Sequence, residues 1–271
     1  MRRLQRLLFI TALPALVVFI AFWLLPVSRL ILIGASGKDG VAAYLSVLTN
    51  DIYRTSLINT VVLSGAASLV SVGIAAIVGV YLQRREFRGK RVVVSLITFP
   101  LAFPGVVIGF MVILLAGRQG LIGQVSEALG AEKIVFAYSL SGLFLGYVYF
   151  SIPRCVLTLM AAAEKLDPAL EEAARSLGAS PLAVVRDVIV PGLMPALVAA
   201  SAICFATSMG AFGTAFTLAS KINVLPITIY SEFTNYANFA AAASLSLVLG
   251  LLTWLILMAA RSLSGQGAAA A

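Results

Sequence analysis

Apolar residues gather along this chain into long stretches free of Asp, Glu, Lys and Arg, with the polar positions confined to short segments between them. Six stretches reach bilayer length: Leu7 to Ser28, Thr55 to Gln83, Val92 to Gly117, Ile134 to Pro153, Val188 to Ser220 and Phe233 to Ala260. A hydrocarbon core about 30 Å thick takes roughly 20 apolar residues at 1.5 Å each. Within it every backbone N–H and C=O must be satisfied inside its own helix or around a closed barrel. None of the six shows the polar/apolar alternation of barrel strands. The pattern therefore predicts an all-α integral membrane protein with six transmembrane helices. The first stretch follows Arg2, Arg3 and Arg6 as a secretory signal would, but it stays apolar to about Ile33 and no small-x-small site closes it. It reads as a retained span.

Lys and Arg between the stretches set the orientation, because cytoplasmic flanks carry the excess. With the N-terminus inside, thirteen fall on the inner side, among them Arg2, Arg3, Arg6, Arg154, Lys165, Arg175, Arg186 and Arg261, against six outside: Arg29, Lys38, Arg54, Arg118, Lys133 and Lys221. Five of the inner ones crowd into QRREFRGKR, residues 83–91. Both termini are expected in the cytoplasm. No Pro-rich or Ser-rich linker divides the chain. Residues 1–54 read as an N-terminal end with the first span and an outer loop, 55–261 as one membrane domain, and 262–271 as a flexible tail. Gly105-x-x-x-Gly109 and Gly142-x-x-x-Gly146 suit close helix contacts, a packing signal that says nothing of function.

Composition narrows the chemistry. Of 271 residues 61% are hydrophobic and 11% charged, and the mean hydropathy is +1.04, which excludes an ordinary soluble domain. The net charge of +8 lies in connecting segments and not on one exposed face, so no nucleic-acid partner is expected. His is absent, and Cys155 and Cys204 lie far apart in apolar stretches. That leaves no zinc site and no Cys/His nucleophile, and both thiols read as buried and structural. Asp39, Asp51, Asp167 and Asp187 all lie outside the six stretches, so an intramembrane aspartyl dyad cannot form. Gly37-Lys38 lacks the upstream Gly and the following Ser or Thr of a phosphate loop. No catalysis and no cofactor are expected. The stretches hold no ionisable side chain for proton or ion coupling, so a transported solute would draw its energy from another subunit.

The segment from Arg154 to Asp187 is the longest inner connection. In LDPALEEAARSLGASPLAVVRDVIVP, Asp167 is suited to cap a helix whose first position is Pro168, Gly178 to end it in the left-handed conformation, and Ser180-Pro181 to start a second. Ala169, Leu170, Ala173, Ala174 and Leu177 share one face of the first helix, and Glu171 and Arg175 form an i, i+4 pair on another. Such a helix could rest among lipid headgroups or dock in a partner's groove, and pattern alone leaves both open.

Glu172-Ala173-Ala174, three residues, Gly178, nine residues and Val188-Ile189-Val190-Pro191 resemble the EAA loop of the membrane subunits of bacterial ABC importers. Val188 and Val190 replace the usual Ile and Leu. Ser56-Leu57-x-Asn59-Thr60, Tyr81-x-x-Arg84, Pro100 through Pro104-Gly105, and Leu225-Pro226-Ile227-Thr228-Ile229-Tyr230 are similar to further stretches of the type I permeases of the spermidine/putrescine group. The resemblance covers about Ser56 to Arg261, with the EAA loop at 164–191. It implies a type I importer permease fold in a bacterial inner membrane, with a cytoplasmic coupling helix seated on an ATPase. Glu172, Ala173, Ala174, Gly178 and Pro191 would form the coupling site. Two ABC ATPase subunits, a second permease subunit and an extracytoplasmic solute-binding protein would complete the assembly. Polyamines are the favoured solute; opines, aminophosphonates and ferric iron occur in the same group. A channel or secondary carrier working without ATPases is the alternative, and the loop argues against it.

The fifth stretch is longer than one crossing needs, and its second half carries Thr207, Ser208, Gly210, Gly213, Thr214, Thr217 and Ser220. Ser208, Thr214 and Thr217 are candidates for the translocation path, with helix packing the alternative. Glu232 is the one acidic residue of the outer segment before the last span. It could meet a cationic solute, touch the binding protein, or be a solvated loop carboxylate.

Overall fold

The computed structural model describes residues 13–37, 40–218 and 222–268. Arg2, Arg3, Arg6, Lys38, Asp39, Ser220, Lys221 and the end of the tail lie outside the described residues. In chain order the helices are α1 (Leu13–Gly34), a short segment Gly40–Thr49, α2 (Asp51–Arg84), α3 (Lys90–Thr98), α4 (Gly105–Ala116), α5 (Leu121–Ala128), α6 (Leu140–Glu164), α7 (Pro168–Ser176), α8 (Pro181–Met209), α9 (Phe212–Leu218), α10 (Leu225–Thr234) and α11 (Phe239–Ala268). No strand occurs among the described residues, and six helical segments are long and apolar enough to cross a membrane.

Proline and glycine redraw the expected boundaries. Val92 to Gly117 is not one helix: α3 stops at Thr98, a 3-10 turn covers Phe99–Ala102, and α4 restarts after Pro104, because prolines have no N–H to carry the ladder across. The fifth stretch breaks at Gly210, between α8 and α9. The sixth helix begins at Phe239, after a turn in which Ala237 has φ 50°, so Phe233 belongs to α10. Ahead of Pro191 the backbone widens into a π-turn, Val185–Ile189, where the Val190 N–H reaches the Val185 carbonyl. This local adjustment absorbs the N–H that Pro191 lacks. The fourth span starts at Leu140 and runs to Glu164. Arg154, counted above as an inner-loop cation, therefore stands inside α6.

Packing divides the chain into two units, Met1–Arg54 with Thr228–Leu251 and Thr55–Ile227 with Leu252–Ala271. In the first, Tyr44 donates to the Ile31 carbonyl at 2.6 Å and Ser244 to the Gly34 carbonyl at 3.2 Å. A Cβ on Gly34 would come within 2.7 Å of the Tyr44 hydroxyl, so this contact requires glycine.

In the second unit one face of α2 carries Ser56, Thr60, Ser64, Ala67, Ser68, Ser71, Ala75 and Gly79, which brings neighbouring helices close. Ser68 donates to the Ser201 carbonyl at 2.8 Å, and Thr60 accepts from the Leu225 N–H at 2.8 Å. Leu63, Val112, Leu143, Tyr147, Ala215 and Leu218 form one core cluster, and Val72, Leu82, Val156, Leu159, Ala200 and Cys204 another. The buried Tyr147 donates to the Ala211 carbonyl at 3.2 Å, which satisfies backbone freed at the α8/α9 break. The Gly105/Gly109 pair lies against α9: a Cβ on Gly109 would meet the Thr217 Cβ at 2.7 Å. Gly109→Val is expected to force α4 and α9 apart and lower the thermal midpoint of the detergent-purified protein; an unchanged midpoint would contradict this packing.

Candidate functional site

The hairpin between α6 and the body of α8 is assembled by its local chemistry. The Asp167 carboxylate accepts from the Ala169 N–H at 2.9 Å and the Ser180 hydroxyl from the Ala183 N–H at 3.3 Å, so α7 and α8 are both capped at the expected residues. Gly178 has φ 86°. Its N–H donates to the Arg175 carbonyl at 2.9 Å, and the Ala179 N–H donates to the Ala174 carbonyl at 3.0 Å. These two bonds close the helix through a left-handed glycine.

The faces of α7 are opposite to those of a helix packed on its own protein. Leu170 is 54% exposed, Leu177 90% and, across the turn, Leu182 78%. Ala173 is also exposed and Ala174 half-buried. The side chain turned inward is the acidic Glu171. Its carboxylate lies 2.7 Å from Arg84 at the end of α2 and 3.6 Å from Arg175. Arg84 also donates to the Leu166 carbonyl at 3.1 Å. With the two side chains only 23% and 12% exposed, the Arg84–Glu171 pair is largely shielded from solvent. The expected Glu171–Arg175 pair is thus the longer of Glu171's two contacts. The C-terminal end of α2 holds the hairpin by a charge pair, while the hairpin's apolar stripe is left facing outward.

Among the predicted coupling residues, Glu172 is exposed and enters no ion pair among the described residues. Gly178 is exposed at the turn with open space around a notional Cβ. Pro191 is exposed, just past the π-turn in α8. Glu172, Ala173 and Gly178 therefore lie on or beside the outward stripe. Arg84 and Glu171 went unrecognised as a pair: Arg84 read as one of five loop cations, and Glu171 already had a local partner in Arg175.

The path candidates lie in the packed interior. Thr214 is buried and donates to the Gly105 carbonyl at 3.0 Å, and Thr217 donates to the Val106 carbonyl at 3.2 Å and to the Gly213 carbonyl at 3.0 Å. The hydroxyl of buried Ser208 has no hydrogen-bond partner among the described residues. The Thr214 and Thr217 hydroxyls serve helix contacts, although Thr214 also borders an open cleft of about 470 Å³ lined by Arg154, Phe150 and Thr207. Glu232 is not a solvated loop carboxylate. It is 9% exposed and accepts from the Asn238 amide at 3.0 Å, with the Tyr53 hydroxyl close by. The Asn238 amide takes the place of water at this carboxylate. Cys155 and Cys204, distant in sequence, are free and buried, and both belong to the same core cluster. No group of three or more His, Cys, Asp or Glu among the described residues could hold a metal ion.

The family described as "binding-protein-dependent transport system inner membrane component" matches residues 71–264. The chain is 31% identical over 232 residues to a "probable molybdenum ABC transporter permease protein" of Haloferax volcanii, covering 86% of this chain and 81% of that one. It is 32% identical over 209 residues to the molybdenum transport system permease protein ModB of Mycobacterium tuberculosis, covering 76% and 78%. A crystal structure of a bacterial alginate ABC transporter, in complex with a periplasmic protein bound to an alginate pentasaccharide, contains a chain that superposes with TM-score 0.81 at 16% identity, covering 97% of this chain and 95% of that one. At that identity the likeness concerns the fold.

Proposed function

Because the chain belongs to the family of binding-protein-dependent transport system inner membrane components, we propose that its α7–α8 hairpin is the seat of a cytoplasmic ATPase and that its solute is a small oxyanion. Family membership makes the chain a multi-pass inner-membrane permease subunit of an ABC importer for small solutes, with no catalysis of its own, and sets aside the ATP-independent carrier. The docking proposal rests on one observation above all, the outward apolar stripe of Leu170, Ala173, Leu177 and Leu182 on a hairpin held from behind by Arg84 and Glu171. Uncovered leucines at these exposures call for a partner surface. Glu172 adds a charge at the rim, and Ala173 and Ala174 allow close approach. Closure of two ATPases would move the hairpin as a rigid body and, through the charge pair, the end of α2.

The reading takes 55–261 as the transporter domain, both termini as cytoplasmic, and two ATPases, a second permease chain and a solute-binding protein as the assembly. Its molybdenum relatives favour an oxyanion over the polyamine expected from the stretches similar to the spermidine/putrescine group, since molybdenum in neutral water is the tetrahedral dianion molybdate.

The test is site-directed cross-linking. The tagged permease, purified from its own cells, is expected to bring an ATP-hydrolysing subunit with it, and Leu177→Cys carrying a thiol-attached photoreactive group should cross-link to that subunit on illumination. Leu177→Cys labelled only by a lipid-borne reagent, with no hydrolytic subunit recovered, would place the hairpin in the headgroups instead.

A further inference from the structure

Arg154 stands within α6, about 21 Å along the helix from Leu140 and about 15 Å from Glu164 at 1.5 Å per residue. A cation so far from either end of a membrane helix is energetically unfavourable and marks a functional site by default. Its guanidinium lies 5.2 Å from the centre of the Phe150 ring and enters none of the ion pairs among the described residues. It is not sealed in the core: with Phe150, Gly105, Thr207, Gly210 and Thr214 it lines the cleft of about 470 Å³. Arg154 and Thr207 also border a second, water-sized pocket.

The same cleft is bordered by the α8/α9 break at Gly210 and Ala211. Irregular backbone at membrane depth is tolerated where protein buries it or where it lines a water-filled cavity. An uncompensated cation and an interrupted helix thus meet at one opening of a size that admits a small solute.

We propose that Arg154 is the anion-recognising side chain of the translocation path, receiving a compact oxyanion in this cleft as the solute crosses. The proposal rests on the transporter reading above and deepens it. A guanidinium presents paired N–H donors that match two oxygens of a tetrahedral oxyanion. In surroundings poorer in water than bulk solvent, attraction for an anion is strengthened and a polyamine cation is repelled. One cation against a dianion leaves the solute incompletely neutralised, and passage needs binding firm enough to admit the ion yet weak enough to release it.

The experiment reconstitutes the purified complex, with its ATPase and binding protein, into liposomes and measures uptake of labelled molybdate and labelled sulfate. Arg154→Gln is expected to lower uptake per transporter roughly ten- to hundredfold, the scale of one charged hydrogen-bonded contact, while stimulation of ATP hydrolysis by the binding protein persists. Arg154→Lys, which keeps the charge and loses the fork, should fall between the two, above Arg154→Gln and below wild type. Wild-type uptake by Arg154→Gln would overturn the proposal, as would loss of the assembled complex in that variant, or failure of the wild-type complex to move either anion while it hydrolyses ATP. A phospholipid phosphate could engage the same guanidinium. In that event Arg154→Gln would shed a co-purifying phospholipid and still import the anion, which also overturns the assignment. Failure of the underlying transporter reading looks different: the permease would purify with no ATPase attached.

Discussion

Gly178→Asp is expected to abolish uptake while leaving the permease inserted in the membrane. The reason is conformational and electrostatic, not steric. Nothing lies within 4 Å of a notional Cβ at this position, so the side chain fits, but φ is 86°, where an ordinary L-residue is strained by about 1–2 kcal/mol. Asp tolerates that region better than most residues, and its larger effect is to set a carboxylate beside Leu177, at the tip of the stripe proposed to enter the ATPase. Gly178→Asn separates the two contributions: it keeps the tolerance for positive φ without the charge, and should retain substantial transport. Glu172→Lys, at an exposed position without an ion pair, reverses the charge at the rim and should act as Gly178→Asp does. Membrane-fraction blots, ATPase retention on an affinity resin and vesicle uptake measure the three consequences. Normal uptake with full ATPase retention in both charged variants would remove the docking assignment.

Arg84→Ala should uncouple the two halves of the machine without dismantling either. Removing one member of a shielded ion pair leaves the other charge poorly compensated, which is destabilising by about 3 kcal/mol where burial is complete. The partial exposure of both side chains reduces this, and the bond from Arg84 to the Leu166 carbonyl is lost as well. That loss is local, because the serine stripe and the two core clusters do not involve Arg84. The expected result is faster amide exchange over residues 168–176, continued ATP hydrolysis and uptake reduced about tenfold or more, as a hairpin loosened by more than ~1.4 kcal/mol would dictate if transport tracks its docked population. The reversed pair, Arg84→Glu with Glu171→Arg, should recover part of the uptake. Unchanged exchange and uptake in Arg84→Ala would show that force reaches the spans by another route.

Much of the architecture was legible in the sequence because it depends on local quantities. The length of an apolar run decides whether it can cross hydrocarbon, and six helical spans follow. The caps at Asp167 and Ser180 and the left-handed Gly178 were equally readable, since each involves residues only two to five positions apart. Boundaries were less so. Val92 to Gly117 contains no charge and so looked continuous, but hydropathy does not register the backbone donors missing at Pro100 and Pro104. Arg154 marked the end of a run by its charge, yet it continues the helix. The burial of Glu232 was not readable because Tyr53, which neighbours it in the fold, lies far away in the chain.

Sequence alone determined that this is a membrane-embedded helical bundle with a capped hairpin between its fourth and fifth spans, because spans and caps follow from interactions within a few turns of backbone. Only the tertiary structure decided which way that hairpin faces, that Arg84 rather than Arg175 is the nearer partner of Glu171, and that Arg154 opens onto a cleft beside a broken helix. Each of these depends on which distant residues a helix face meets, and periodicity along one helix carries no information about its neighbours.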